Sequence, residues 1–312
     1  MSIVNVPTIR LTRKTFQSGY VLILISAILT ALAHVLAKPL VDNEIGFEIN
    51  PVVLAACIYM INGAFFTPFT RKSTPIVLLG GKNIALLAII GISEGIALIT
   101  YFIGLKGSTA ANASIFSNSE MIFSLLIVTI AFKEVLKKNE IGPFTMIIIG
   151  MLVLPIGYDV YSHGMTFSNL VMSDILIIVS GVFYAFNVTI CRYISNSIDS
   201  KRIMQVISFT SGACAVLALV AFHIPVDVEM SSFGSIAMFA IGGTGIASVL
   251  FVVSLRMIGG ARTVLLFSTN SAFGIIFAAV ILGETITMVN MGSLVLTFGG
   301  IYLLKNKLGN KH

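Results

Sequence analysis

Apolar residues run along this chain in long unbroken blocks, without the two-residue alternation of a half-buried strand. A block of roughly 18 or more apolar residues is long enough to cross a bilayer as a helix. Ten such candidates follow one another, at about 19–37, 51–69, 83–104, 109–132, 141–158, 172–191, 203–223, 234–255, 262–282 and 286–304. They are numbered spans 1 to 10. Thr67, Pro68 and Thr70 blur the end of span 2, and Ser208, Thr210, Ser211 and Gly212 dilute span 7. The gaps between spans are too short for a soluble domain. The pattern predicts an all-α integral membrane protein.

Composition agrees. The 312 residues are 57% hydrophobic and 10% charged, whereas soluble domains carry about a quarter charged residues. The net charge of +6 does not point to nucleic acid, because its distribution follows the spans. Of the 19 Lys and Arg residues, all but Lys38 and Lys106 fall before span 1, after span 10, or within or at the edge of alternate gaps. Basic residues concentrate in cytoplasmic loops, so both termini are expected in the cytoplasm. The opposite gaps carry Asp42, Glu44, Glu48, Asp159, Asp227 and Glu229. The run from Gly19 to Ala37 is long for a signal-peptide core and lacks a convincing cleavage site, so span 1 is expected to be retained. Cys57, Cys191 and Cys214 have no framework spacing, and no disulfide is expected. No zinc or nucleotide-binding motif is present, so no metal or cofactor is expected.

The chain repeats itself at an offset of 150 residues. "EGIALITYFIGLKG" (94–107) lies over "TGIASVLFVVSLRM" (244–257). Lys106 meets Arg256, Ala111 meets Ala261, Glu134 meets Glu284, Gly142 meets Gly292 and Gly150 meets Gly300. Five spans per repeat is an odd number, so the second repeat enters from the opposite face. This gives a segment 1–18, a first repeat over 19–158, a second over 172–304 and a tail over 305–312. Inverted repeats favour alternating access around a site near the midplane.

The runs "GLKGSTAANASIFSNSEMIFSLLIVTIAFKEVLKKNEIGPFTMIIIGMLVL" and "SLRMIGGARTVLLFSTNSAFGIIFAAVILGETITMVNMGSLVLTFGGIYLL" resemble the EamA-type repeat of the drug/metabolite transporter superfamily. The shared features are a basic residue ending the third span, an Ala-rich entry to the fourth, a Glu closing it, and Gly in the fifth. The resemblance implies ten helices, cytoplasmic termini and a central cavity. It also implies that spans 1, 3, 4, 6, 8 and 9 line that cavity while 5 and 10 stay peripheral. Many relatives place Pro midway along the fourth helix of the repeat. Met121 and Ser271 stand there instead, which argues against a proline-assisted bend.

Polar residues inside the spans mark the candidate site. An ionised carboxylate at the centre of a membrane helix costs about 2.5–3.5 kcal/mol on insertion scales. Glu94 is halfway along span 3, and Glu120 is halfway along span 4 in "SNSEMIF". Seven residues make nearly two turns, so Glu94 shares a face with Tyr101, and Ser117, Glu120 and Ser124 share another. Spans 3 and 4 are joined by a tight turn and are expected to pack together, bringing the two acids to similar depth. Their repeat partners are Thr244 and Asn270, polar but uncharged. His34 on span 1 lies one turn after Thr30 and titrates near neutrality when unperturbed. Tyr184 and Asn187 share a face of span 6. On span 9, phase with Phe273 and Gly274 selects Asn270 from Ser268, Thr269, Asn270 and Ser271. The substrate or proton site is therefore expected from Glu94, Glu120, Tyr101, His34, Tyr184, Asn187, Asn270 and Thr244. Each also has a plain reading as an interhelical hydrogen-bonding residue. Glu134 and Glu284, at span ends just ahead of the next helix, read as helix caps. Gly142, Gly150, Gly292, Gly299 and Gly300 read as close-packing positions or a dimer contact.

The expectation is a secondary transporter or exchanger, not an enzyme. It would move a small organic metabolite, an amino acid or similar solute, by alternating access, using a proton or a counter-substrate. The alternative substrate is a cationic drug or polyamine for export. A receptor, a scaffold or an intramembrane enzyme are the readings of another class. The expected setting is the plasma membrane, as a monomer or homodimer, with lipid and small solute as partners.

Overall fold

The computed structural model describes residues 13–42, 46–131, 138–150 and 169–308. Every predicted span is mainly helical over its described residues, and no strand occurs among the described residues. Span 1 is Arg13–Val41, span 2 Pro51–Phe66, span 3 Gly81–Gly107 and span 5 begins as Lys138–Ile148. Span 6 is Asn169–Ile194, span 7 Ser200–Ala221 and span 10 Met288–Leu308. Among the described residues six helices are long and apolar enough to cross a bilayer on their own, and those of spans 2 and 10 are shorter apolar helices. Local chemistry explains several ends. Asn50 accepts from the Val52 amide and caps span 2, with Pro51 pre-set for the first turn. Asp199 caps span 7 in the same way through Lys201.

Three spans are not simple helices. Span 4 divides into Ala110–Phe116 and Ser119–Ala131, and span 9 into Gly260–Phe267 and Asn270–Leu282. No proline lies at either break. Hydroxyls take the carbonyls there instead: Ser117 Oγ donates to Ser114 O at 2.8 Å, Ser268 Oγ to Leu265 O at 2.7 Å, and Thr269 Oγ1 to Leu266 O at 2.7 Å. Backbone amides switch to the residue three back, as in Asn118 N to Ile115 O and Thr269 N to Leu266 O, both 3.1 Å. Ser and Thr compete for helix carbonyls and bend helices. The polar stretch read as a site is therefore also what breaks the helix. Span 8 runs Phe233–Met238, a π-helical stretch Phe239–Ile246, then Ala247–Ile258. The wide turn carries Gly243 and Gly245 against neighbours: a Cβ on Gly243 would lie 2.2 Å from the Ala33 Cβ, and one on Gly245 2.5 Å from Asn62 Oδ1.

The packing is symmetric under exchange of repeats. Span 1 lies against 8 and 9, and span 6 against 3 and 4. Span 2 packs on 7, 4 on 9 and 5 on 10. Spans 3 and 4, expected to pack along their length, touch little; each leans on span 6, which separates them. Alternate loops gather on two faces. On one, Lys106 pairs with Glu48 at 2.8 Å and Ser108 donates to Asp174. On the other, Arg202 donates to Thr70 O at 2.9 Å and Ser73 to Asp199 at 2.6 Å. These are called the acidic and the basic face.

Glu284 caps a helix, but not the next one. Its two carboxylate oxygens accept from the Ala110 and Ala111 amides at 2.7 and 2.8 Å, at the N-terminus of span 4 in the other repeat. Glu134 lies outside the described residues. Of the glycines, Gly150 and Gly300 sit at the contact of spans 5 and 10: a Cβ would meet Leu296 Cβ at 2.8 Å and Ile147 Cγ1 at 2.6 Å respectively. Gly299 is looser, with Met146 Cε at 3.4 Å, and Gly142 has open space around its missing Cβ, so Gly142 is not a close-packing position.

Candidate functional site: a central cavity between the repeats

A cavity of about 130 Å³ lies at the centre, bordered by both repeats. About 10–15 Å³ of such space admits one water, so the cavity has room for a small organic solute. All eight residues singled out from the sequence border it: Glu94, Glu120, Tyr101, His34, Tyr184, Asn187, Asn270 and Thr244. Spans 1, 3, 4, 6, 8 and 9 contribute, as the resemblance implied, and spans 2 and 7 contribute as well through Tyr59, Asn62, Met204, Ile207 and Ser208. These two spans carried no charged residue in their interior, so no cost argument singled them out.

Glu94 is held by neighbours on two spans. Asn187 Nδ2 donates to its Oε2 at 2.6 Å, and Tyr59 OH donates to its backbone carbonyl at 3.1 Å. The second bond uses a carbonyl halfway along a helix. The His34 and Tyr101 rings lie 4.6 Å apart by centroid, so span 1 meets span 3 at the wall of the cavity. Tyr101 is buried and its hydroxyl has no hydrogen-bond partner among the described residues. Asn270 stands at the start of the second half of span 9, and Glu120 is in the first turn of the second half of span 4. Both breaks therefore face the same cavity. They are tied together by Asn118 Nδ2, which donates to Ser271 Oγ at 2.8 Å.

Thr244 borders the cavity, but its hydroxyl donates back to Ala240 O at 2.7 Å within the π-helical stretch. Ser124, one turn beyond Glu120 on the same half-helix, does not border the cavity; it is buried and its hydroxyl has no hydrogen-bond partner among the described residues. Glu94 and Glu120 border one cavity without direct packing of their helices along their length. Span 6 lies between them and brings Tyr184 and Asn187 into the same space.

A polar and an apolar end can be distinguished. Along each helix, the residues toward the basic face are Ile90, Cys191, Met204, Phe251, Val252 and Phe267. Phe251 and Phe267 meet edge-to-face with centroids 4.9 Å apart. Toward the acidic face stand His34, Tyr101, Ser180 and Thr244, with the two acids between.

The acidic face above the cavity is tightly bonded. Lys38 is buried; its ammonium donates to Leu105 O at 3.0 Å and Lys106 O at 3.1 Å and pairs with Asp42 at 2.7 Å. It thereby joins the end of span 1 to the end of span 3.

Two inverted bundles around a shared polar cavity define a multi-pass membrane protein of the transporter type. The chain belongs to the EamA-like transporter family, whose model matches residues 17–155 and again 171–305. It is 24% identical over 305 residues to an uncharacterized transporter of Methanothermobacter thermautotrophicus, covering 92% of this chain and 85% of that one. A solved crystal structure shares the fold at a TM-score of 0.68 and 17% identity, covering 94% of this chain and 99% of that one.

Proposed function

We propose that this protein is a secondary active transporter that moves a small organic metabolite bearing an amino group, an amino acid or a similar solute, by alternating access. Glu94 and Glu120 are its substrate- and proton-binding groups. The observation that carries this reading is the placement of both membrane-embedded carboxyls on one cavity shared by the two repeats. Buried acids are costly and mark substrate or proton pathways. Glu120 forms no hydrogen bond through its carboxyl among the described residues, so it is free to exchange a proton for a ligand's positive group. The titratable groups facing it around the cavity are Glu94, His34, Tyr59, Tyr101, Tyr184 and Cys191. The basic asymmetry favours both termini in the cytoplasm, and the plasma membrane is the proposed setting.

The test is solute flux in proteoliposomes across a pH series. Glu120→Gln keeps size and hydrogen bonding but cannot titrate. It is expected to insert normally, to lose most transport and to flatten the remaining pH profile. A mutant with the parent's rate and profile would make Glu120 a structural residue.

A further inference from the structure

We infer that the segment joining spans 2 and 3, residues 68–82, is an in-plane interfacial anchor that binds anionic phospholipid headgroups at the basic face. This does not depend on what the central cavity carries. Under the orientation proposed above, the lipid is that of the cytoplasmic leaflet, the one rich in anionic headgroups.

Glu94 is the midpoint of the 27-residue span 3, so Gly81 at its start lies about 20 Å from the midplane. The hydrocarbon of one leaflet is about 15 Å thick, which puts the start of span 3 at headgroup depth. Tyr193, at the end of span 6, reaches the same level. Its hydroxyl accepts from Lys82 Nζ at 2.9 Å, and the ammonium lies 5.0 Å from the ring centre. Exposed tyrosines concentrate at this boundary of the bilayer.

Ile76–Leu79 forms a single tight turn between Pro75 and Gly80. Gly80, at φ +79°, adopts a backbone conformation that a side chain would strain, and it redirects the chain into span 3. The turn is fixed in place. Leu78 N donates to Pro75 O at 3.0 Å, Asn83 Nδ2 donates to Leu79 O at 2.9 Å, and the Leu79 side chain is buried in the core. Fixed in this way, the turn leaves Val77 86% and Leu78 71% exposed, with Ile76 and Phe69 exposed as well. Such side chains are unfavourable in water and favourable at the boundary of headgroups and acyl chains.

Charge supplies the second half of the match. Arg71, Lys72 and Lys82 are exposed, and no carboxylate pairs with them among the described residues. Asp199, an acid of the same face, is taken by Ser73 Oγ at 2.6 Å and by the Lys201 amide. Three cations without a counter-ion, in one short segment with exposed aliphatic side chains, complement a lipid phosphate above its acyl chains.

The second repeat shows that the fold itself does not require this chemistry. At the 150-residue offset Pro75 meets Pro225, Val77 meets Asp227 and Leu79 meets Glu229. Arg71, Lys72 and Lys82 meet Ala221, Phe222 and Ser232. The equivalent loop on the acidic face thus carries exposed acids and none of the three cations. The combination of aliphatic and basic residues belongs to one leaflet.

The chain has no Trp, so Val77→Trp installs a lone fluorophore in the segment. The test places this full-length variant in nanodiscs of mixed phosphatidylglycerol and phosphatidylcholine, with one or the other lipid brominated. Nanodiscs expose both leaflets, so the orientation of the chain does not enter. Both brominated lipids are expected to quench the indole, with phosphatidylglycerol preferred about fivefold. Combining Arg71→Gln, Lys72→Gln and Lys82→Gln should remove the preference and keep the quenching. Asp227→Trp, the matching reporter in the second repeat, should show no preference. Should the triple variant fail to insert, about 1 M salt, which screens exposed charges beyond about 3 Å, should remove the preference from Val77→Trp alone. Equal quenching by the two lipids, or a preference that survives neutralisation or salt, overturns the anionic-lipid assignment. Emission typical of water, quenched by neither lipid, overturns the anchor and leaves the segment to a soluble partner.

Discussion

Asn187 shows how much one side chain contributes to the polar centre. Its NH2 holds the Glu94 carboxyl at 2.6 Å from another repeat, so it both orients the acid and offsets part of its burial. Hydrogen bonds to charged groups contribute about 1.5–3 kcal/mol. Asn187→Ala is expected to weaken ligand binding about tenfold or more while Asn187→Asp, which places a second negative charge against Glu94, impairs insertion or folding. Binding isotherms and detergent-solubilised yield check the two outcomes. The null result, equal binding in Asn187→Ala, would make Glu94 independent of span 6.

At the scale of elements, the helix breaks and the glycine contacts make separate predictions. Spans 5 and 10 approach through Gly150 and Gly300, and at Gly300 the backbone of Pro143 is 2.7 Å from where a Cβ would stand. Backbone cannot move aside as a flexible side chain can. Gly300→Leu is therefore expected to lower the melting temperature and the yield, with overpacking costs of about 1–3 kcal/mol, and Gly142→Leu, in open space, is expected to be neutral. Equal melting of Gly300→Leu and parent would place these helices apart. Glu284 joins the outer ends of spans 9 and 4 by two charge-assisted bonds. Glu284→Ala removes a cap of about 1 kcal/mol and is expected to lower thermal stability measurably, while Glu284→Gln, which keeps one acceptor, should be intermediate.

At the scale of the whole molecule, the acidic face is joined across helices by Lys38, with Asp42 and the carbonyls of Leu105 and Lys106 around it. The alternating access proposed above would require such a junction to open and close. Removing one member of a buried ion pair is strongly unfavourable to the state that contains it, so Lys38→Met is expected to shift the population toward the state open on this face. A cysteine at Ser180, on the cavity wall nearer that face, should then react with an impermeant thiol reagent roughly tenfold faster, as about 1.4 kcal/mol of shift would give. Unchanged labelling would leave Lys38 a static anchor. Orientation has its own test. A cysteine at Glu48 should be labelled from outside intact cells and one at Ser197 should not; the reverse pattern would invert the topology.

Much of the architecture is determined by composition and order alone. Ten apolar blocks can only become helices in a bilayer, because each helix satisfies its own backbone there. Five blocks per repeat invert the second copy by parity. The cavity residues were legible where a polar group stood in an apolar block, since burying it has a cost that demands a reason. Glu94, Glu120, Asn187 and Asn270 all announced themselves in that way. What tertiary structure decided is whatever depends on which helix lies beside which. Span 6 enters between spans 3 and 4, so the two acids face one space without their helices packing together. Glu284 finds its helix end 174 residues back in the chain, a partner no local signal names. Tyr59 and Met204 join the wall only because spans 2 and 7 lie against it. The breaks at Ser117 and Ser268 stand between the two cases: the hydroxyls that make them are local, but a serine in a helix bends it only where its neighbours leave the bent form the better packed one.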